Sequence, residues 1–225
     1  MEPALTHGNQ PVSIEEGRYA LEGSLVVPAE CRGVVLFAHG SGSSRFSPRN
    51  QFVAEALNRA GLATLLFDLL TRVEEAEEAQ RLRRFDISLL ARRLVAATDW
   101  IAGYPETRGL RQGYFGASTG AAAALVAAAE RPAGAVVSRG GRPDLAGEAL
   151  GRVRAPTLLV VGAEDRSVLE LNRWAQRHLA GPSELVVVPG ATHLFEEPGA
   201  LDEVARLAAA WFGGHLAAAP SRASA

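Results

Sequence analysis

Short, continuous apolar runs recur along the chain. Residues 33–39 form one such run, which is apolar from Val34 to Ala38 and ends at a His-Gly pair. A strand with one solvated face would show polar residues at alternate positions, so this run predicts a strand buried on both faces, as in a parallel sheet under helices. Similar runs occupy residues 62–67, 113–116, 134–138, 157–161 and 185–188, and two earlier strands are predicted over residues 12–16 and 19–27.

Helical periodicity fills the intervals between these runs. Ser47 and Pro48 predict a helix start, because serine caps free N–H groups and proline suits the first helical position. Apolar residues then repeat on one face until Gly61, and further stripes span residues 87–101 and 204–211. Strands that alternate with helices predict right-handed βαβ units, which build a parallel sheet.

No break in composition and no internal repeat divides the chain, so residues 1–225 are predicted to form one domain. Residues 1–10 and the Ala- and Ser-rich stretch at 215–225 are expected to be flexible ends. Residues 74–84 are densely charged and predict a solvated helix, with a mobile flap as the alternative.

Composition and charge narrow the function by exclusion. The 225 residues are 48% hydrophobic and 21% charged, as in an ordinary globular protein. With a net charge of −2, the chain lacks the excess of positive charge that is typical of proteins that bind nucleic acid or an anionic membrane. The single cysteine, Cys31, excludes an intrachain disulfide and a cysteine metal cluster. A polar N-terminus and the lack of a span-length apolar run predict a cytoplasmic protein without a secretory signal.

The strongest chemical signal is the pentapeptide Gly-Ala-Ser-Thr-Gly at residues 116–120. It follows a predicted strand and precedes an Ala-rich helical stretch, which is the strand–turn–helix setting of a nucleophile elbow. The sharp turn requires small neighbours around Ser118 and exposes its hydroxyl above the sheet. It also places the backbone N–H of Thr119 at a helix N-terminus, where it can bind an oxyanion. Ser118 is therefore the predicted nucleophile.

A serine nucleophile needs a base, and the base needs an acid that orients it. His193 lies in a loop directly after the last predicted strand, so it is the predicted base. Asp165 follows the strand at residues 157–161 and is the predicted acid, although the adjacent Glu164 stays an alternative. The order serine, acid, histidine is typical of hydrolases with this elbow and differs from that of chymotrypsin or subtilisin.

A second oxyanion donor is expected from the loop that follows residues 33–39. We assign it to the backbone N–H of Ser41, because the flanking glycines let the backbone approach a substrate closely. His39 is expected to anchor this loop by hydrogen bonds. Asp68, at the end of residues 62–67, is likewise interpreted as a loop anchor. No cofactor and no metal are needed for this chemistry.

These motifs together resemble those of α/β-hydrolases, in particular the small, lidless dienelactone-hydrolase-like group. The resemblance rests on the HGSG loop at residues 39–42, the GASTG elbow, the GAED turn at 162–165 and the GATHLFEEPG loop at 190–199. It implies an α/β-hydrolase fold, with a mostly parallel sheet of seven or eight strands and helices on both faces. Dienelactone hydrolases proper carry a cysteine at the elbow, where this chain has Ser118, so a carboxylic ester is the expected substrate.

Residues 139–154 separate two predicted strands and are too few for a cap domain, so an open site is expected. Arg45, Arg139 and Arg142 fall in loops at the carboxyl edge of the sheet, where ligands bind. They are candidates for holding a substrate carboxylate. The alternative, which we favour, is that they pair with Asp144, Glu196 or Glu197, or cap helices.

The sequence thus predicts an esterase that acts on a small-molecule ester through an acyl-enzyme, as a monomer or homodimer. The same triad would serve an acyltransferase or a thioesterase. A non-catalytic hydrolase-like interaction module is the alternative of a different class. No nucleic-acid or membrane partner is expected.

Overall fold

Eight strands form one mixed sheet at the centre of the chain. The structure, a computed structural model, describes residues 5–76 and 78–217. The strands are β1 Leu5–Glu16, β2 Tyr19–Pro28, β3 Val34–Ala38, β4 Ala63–Phe67, β5 Gln112–Ala117, β6 Ala135–Arg139, β7 Thr157–Gly162 and β8 Ser183–Val188. Their order across the sheet is β1-β2-β4-β3-β5-β6-β7-β8. Strands β1 and β2 run antiparallel to their neighbours, whereas β4, β3 and β5 to β8 pair in parallel. The predicted, mostly parallel sheet is confirmed.

Helices cover both faces of this sheet, which explains why its central strands are apolar throughout. The helices are α1 Pro48–Arg59, α2 Arg72–Ala76, α3 Ile87–Gly103, α4 Thr119–Glu130, α5 Arg166–Gln176 and α6 Ala200–Leu216. Buried residues of α3 and α4 pack into one apolar cluster, and those of α1 and α6 pack into another on the opposite face. As predicted, Ser47 caps α1, since its hydroxyl accepts the N–H of Asn50.

Both ends of the fold extend further than the sequence pattern indicated. Strand β1 begins at Leu5, and its early part pairs with the end of β2 through two register shifts. Helix α6 continues to Leu216, whose side chain is fully buried, so His215 lies within the helix. Residues 1–4 and 218–225 of the expected flexible ends lie outside the described residues. Cross-strand pairing and burial by distant residues fix these ends, and neither shows in the local pattern.

The charged segment between β4 and α3 is not a solvated helix. It consists of the short α2 and a 3₁₀ helix at Glu78–Phe85. Glu74 is buried, and its carboxylate accepts hydrogen bonds from Arg93 at 2.7 and 2.8 Å and from Arg83 at 2.7 Å. Arg93 on α3 is also fully buried, so its ion pair with Glu74 connects α2 to the core.

No cap domain covers the carboxyl edge of the sheet. Strands β6 and β7 are joined by a 3₁₀ segment, Pro143–Arg152, which is kinked at Gly147. This short connection leaves the end of β5 accessible, and the candidate site lies there. Within the described residues, none of the helices has the length and apolar character needed to cross a membrane.

Candidate active site

The elbow between β5 and α4 holds Ser118 in a backbone conformation that few residues adopt. Its φ is 51° and its ψ is −121°. The turn is tight because its neighbours are glycines: a Cβ on Gly116 would lie 2.4 Å from Ala121 Cα, and one on Gly120 would lie 2.1 Å from the Ala38 oxygen. Such strain in a non-glycine residue occurs where the surrounding structure enforces it, frequently at functional sites. The observed turn matches the predicted elbow.

Asp165, and not Glu164, faces the histidine. His193 Nδ1 lies 2.6 Å from Asp165 Oδ2, and the Asp165 side chain is only 11% exposed. Glu164 is exposed to solvent. An ionised carboxylate only accepts hydrogen bonds, so this contact puts the proton on Nδ1 and leaves Nε2 as the basic nitrogen. The geometry decides between the two acids that the sequence left open.

Loop contacts hold the histidine beside the serine. Gly140, with φ of 50°, packs so closely that a Cβ there would lie 3.2 Å from the His193 oxygen and 3.5 Å from Nδ1. Glu197 accepts hydrogen bonds from the Thr192 backbone at 3.1 Å and the Thr192 hydroxyl at 2.6 Å, which fixes the chain just before His193. Ser118 and His193 line one cleft, although no direct hydrogen bond joins them among the described residues. Catalytic hydrogen bonds commonly tighten when substrate binds.

The two predicted oxyanion donors are adjacent, but one of them is occupied. Thr119 begins α4, so its backbone N–H has no partner within the helix. The Ser41 N–H donates to the Thr119 hydroxyl at 2.9 Å. The loop that contains Ser41 also passes Ser118 closely, since a Cβ on Gly40 would lie 3.2 Å from Ser118 Cβ. An oxyanion here must therefore displace or share the Thr119 hydroxyl. Sequence reasoning missed this side-chain contact.

His39 anchors the loop, as expected. Its Nδ1–H donates to the Gly40 oxygen at 3.0 Å, and its Nε2 accepts the Leu69 N–H at 3.0 Å. Burial lowers the pKa of His39, which keeps the ring in the neutral form that these two bonds require. His39 therefore joins the ends of β3 and β4, and both of its ring nitrogens are engaged in this contact.

Two of the three candidate substrate-binding arginines are engaged in ion pairs. Arg45 donates to both carboxylate oxygens of Asp68, through its backbone N–H at 2.7 Å and through its guanidinium. Arg142 makes a bidentate pair with Asp144 at 2.8 and 2.9 Å. The favoured alternative is confirmed for Arg142, whereas Arg45 pairs with Asp68, which thereby acts as the expected loop anchor. Arg139 differs, since it forms no ion pair within the described residues.

Two clefts meet at the loop around Ser41. The smaller, of about 280 Å³, contains Ser118, His193, Arg139 and the unpredicted Arg49. The larger, of about 470 Å³, lies towards α2 and is lined by a mixture of apolar and charged side chains. Within the described part of the chain, no group of three or more His, Cys, Asp or Glu side chains could hold a metal ion.

Comparison with known proteins places this geometry in a family. A family model described as "Alpha/beta hydrolase family" matches residues 24–207. A crystal structure of dienelactone hydrolase from Anabaena variabilis is 57% identical, with a TM-score of 0.90 over 96% of this chain and 100% of that one. The structure of Est1E from Butyrivibrio proteoclasticus with ferulic acid bound is 17% identical, with a TM-score of 0.76 over 91% of this chain and 98% of that one.

The curated relatives are longer proteins. Two from strains of Mycobacterium tuberculosis, each named "Putative phosphoribosyl transferase", are 59% identical over 210 residues. The match covers 92% of this chain and 47% of each relative, so the chain spans about half the length of the curated relatives that it matches.

Proposed function

This chain belongs to the alpha/beta hydrolase family, and we propose that it is a serine hydrolase that cleaves carboxylic esters through an acyl-enzyme. The observation that carries the proposal is one cleft that holds the strained Ser118 and a His193 whose Nδ1 lies 2.6 Å from Asp165. A hydroxyl, an imidazole and a carboxylate in these roles are the components of nucleophilic acyl chemistry.

In the first half of the proposed reaction, Ser118 Oγ attacks the ester carbonyl carbon while His193 Nε2 takes its proton. Asp165 stabilises the imidazolium that forms, because its carboxylate already accepts the Nδ1–H. The carbonyl oxygen becomes an oxyanion that the backbone N–H groups of Thr119 and Ser41 stabilise. Collapse of this intermediate expels the alkoxide, which takes the proton from His193 and leaves as the alcohol.

In the second half, water replaces the alcohol. His193 Nε2 removes a proton from the water, whose oxygen attacks the acyl carbon on Ser118. The second intermediate expels Ser118 Oγ, which regains its proton from His193, and the carboxylic acid leaves. The histidine side chain is 39% exposed, so water can reach the base once the alcohol has left.

The similar proteins differ in how strongly they support an ester substrate. The 57% identity with the Anabaena dienelactone hydrolase supports an ester or lactone substrate. At 17% identity, the similarity to Est1E supports the fold only, so the ferulic acid bound to Est1E does not indicate the substrate of this chain. The transferase name of the mycobacterial proteins refers to chains about twice as long as the matched part. Transfer of the acyl group to an acceptor other than water would use the same acyl-enzyme, and acceptor competition against hydrolysis separates the two outcomes.

Active-site labelling together with ester turnover tests the proposal. A fluorophosphonate probe is expected to label the folded wild type at Ser118, and p-nitrophenyl acetate and butyrate are expected to be hydrolysed. Ser118→Ala should abolish both signals while its circular dichroism and melting temperature stay close to the wild-type values. Ser88→Ala, at an exposed serine on α3, is the matched control. Labelling and turnover retained in Ser118→Ala would overturn the assignment, and a wild type inert to probe and esters would favour a non-catalytic module.

A further inference from the structure

A buried guanidinium that has no hydrogen-bond or ion-pair partner in the described part of the chain lies beside the candidate nucleophile. Arg139 is the last residue of β6, its backbone oxygen accepts the Ser118 N–H at 3.2 Å, and the residue is only 7% exposed. Among the described residues, its side chain makes no hydrogen bond and no ion pair, and its Nε is fully buried without an acceptor. The guanidinium lies 5.8 Å from the centroid of the Phe195 ring, which holds it in place from one side.

A second cation lines the same small cleft. Arg49 on α1 also has a fully buried Nε with no acceptor, and its Nη1 reaches only Glu196, at 3.0 Å, whose side chain is 64% exposed. Burial, and to a smaller extent the nearby Arg49, lowers the pKa of Arg139 to about 10, so its guanidinium stays charged at neutral pH. Two guanidiniums therefore line one cleft, and among the described residues only that of Arg49 has a carboxylate partner.

Such an arrangement is costly for a free protein. A buried charge normally has a counter-ion or a full set of hydrogen bonds, because desolvation otherwise costs several kcal/mol. Arg45 and Arg142 follow this rule with Asp68 and Asp144, so the chain does not lack carboxylates for the purpose. The exception lines the same cleft as Ser118, and this cleft has a volume of about 280 Å³.

We propose that Arg139, assisted by Arg49, forms an anion subsite that binds a carboxylate or phosphate group of the ester substrate. The inference rests on the proposed function and narrows its substrate class. A guanidinium binds either anion in bidentate fashion, which both satisfies the buried donors and orients the ester at Ser118. Because both arginines share a small cleft with Ser118 and His193, the anion lies only a few bonds from the scissile carbonyl. Esters of short dicarboxylic or phosphonocarboxylic acids meet this requirement.

A matched pair of esters tests the subsite in the wild type. Monoethyl succinate carries a carboxylate where ethyl 4-oxopentanoate carries a neutral methyl ketone of nearly the same shape. By pH-stat titration at pH 7.5, kcat/KM for the anionic ester is expected to exceed that for the neutral one by on the order of 10²-fold. Ethyl 3-phosphonopropanoate separates the two anion types, since the better of the two anionic esters identifies the preferred group.

Variants assign the preference to residues. Arg139→Met should abolish the preference, measured in the variant as the ratio of kcat/KM for the anionic ester to kcat/KM for the neutral one. Its melting temperature should equal or exceed that of the wild type, because an unpaired buried charge is removed. Arg49→Met should reduce the preference in part. Arg131→Met removes a surface arginine that pairs with Asp99 and should leave the preference unchanged.

The outcomes separate the subsite from the esterase chemistry. If the wild type hydrolyses both esters equally, or if Arg139→Met retains the preference, the subsite is rejected while the proposed esterase stands. If no ester is hydrolysed, but succinate or inorganic phosphate raises the melting temperature of the wild type and not of Arg139→Met, the anion site stands and the proposed function fails. If Arg139→Met does not fold, the comparison of the two esters in the wild type still decides.

Discussion

The Ser41 backbone N–H donates to the Thr119 hydroxyl at 2.9 Å, so one of the two candidate oxyanion donors is bound to the side chain of the residue that supplies the other. Thr119→Val keeps the shape of this buried residue and removes the acceptor. The loop keeps its other anchors, since His39 and Asp68 still bind it. We expect kcat to rise about two- to tenfold, because a competing hydrogen bond worth about 1 kcal/mol no longer has to break. Steady-state hydrolysis of p-nitrophenyl acetate measures the change.

Thr119→Ser is the control for this prediction. Serine keeps the hydroxyl that accepts the Ser41 N–H, so its kcat should match that of the wild type within about twofold. If Thr119→Val instead lowers kcat, the hydroxyl assists the oxyanion and does not compete with it.

The pair of His193 and Asp165 gives a second prediction. Asp165→Asn should lower kcat by on the order of 10⁴-fold, because the amide no longer fixes the tautomer or stabilises the imidazolium. Glu164→Gln should leave kcat unchanged, since Glu164 is exposed and the carboxylate beside His193 belongs to Asp165. Stopped-flow or steady-state ester hydrolysis, with circular dichroism to confirm folding, measures both. A loss of activity confined to Glu164→Gln would reverse the assignment.

Sequence reasoning located the elements of the site that depend on local chain geometry. The elbow at Ser118 needs glycines at fixed positions next to it, and those positions are visible in the sequence. Apolar runs locate the strands for a similar reason, because a strand that is buried on both faces is apolar at every position. In contrast, the part of β1 before Val12 has no apolar run, since backbone pairing with β2 holds it in place.

Most side-chain partners could not be predicted from the sequence, although Asp144 was among the candidates and pairs with Arg142. Arg45, Arg139 and Arg142 are equivalent as sequence candidates. Only their surroundings distinguish the two ion-paired guanidiniums from that of Arg139, which has no ion pair with any residue that the structure describes. The sequence pattern indicates that Glu74 is one of several surface charges in an acidic stretch, yet its side chain is buried and contacts Arg93. The contacts of Arg45 with Asp68 and of Glu74 with Arg93 join residues that are distant along the chain, and no periodic pattern encodes them.

Gly120 provides a stability test of the elbow. A Cβ at this position would lie 2.1 Å from the Ala38 oxygen and 2.5 Å from the His39 oxygen, and backbone atoms cannot move aside cheaply. Gly120→Ala should therefore lower the free energy of unfolding by about 3 kcal/mol or more, as measured by urea denaturation. Gly103→Ala, at the end of α3 where a Cβ meets nothing within 4 Å, should raise it by about 0.5–1 kcal/mol. Equal stabilities of the two variants would contradict the close packing of the elbow.

The buried pair of Glu74 and Arg93 makes the stability of the fold dependent on pH. Burial alone would raise the pKa of Glu74, but hydrogen bonds from Arg93 and Thr71 outweigh it and lower the pKa from 4.5 to about 2. Above about pH 4.5 the carboxylate is ionised in both the folded and the unfolded chain, so its contribution to stability is fully present. As the pH falls towards 2, the unfolded chain binds a proton that the folded chain does not, and the contribution is lost.

Glu74→Gln removes this dependence. At pH 7 the variant should be less stable than the wild type by about 3 kcal/mol, the free energy that corresponds to the pKa shift. The buried Arg93 then keeps only the more distant carboxylate of Glu16, 3.7 Å from its Nε. The difference should shrink steadily between pH 4.5 and pH 2, where Glu74 of the wild type becomes neutral as well. Urea denaturation at several pH values measures it. Glu75→Gln, at an exposed neighbour, should change stability by less than about 0.5 kcal/mol throughout. A deficit in Glu74→Gln that stays constant down to pH 2 would show that the lost interaction is not the charge of Glu74.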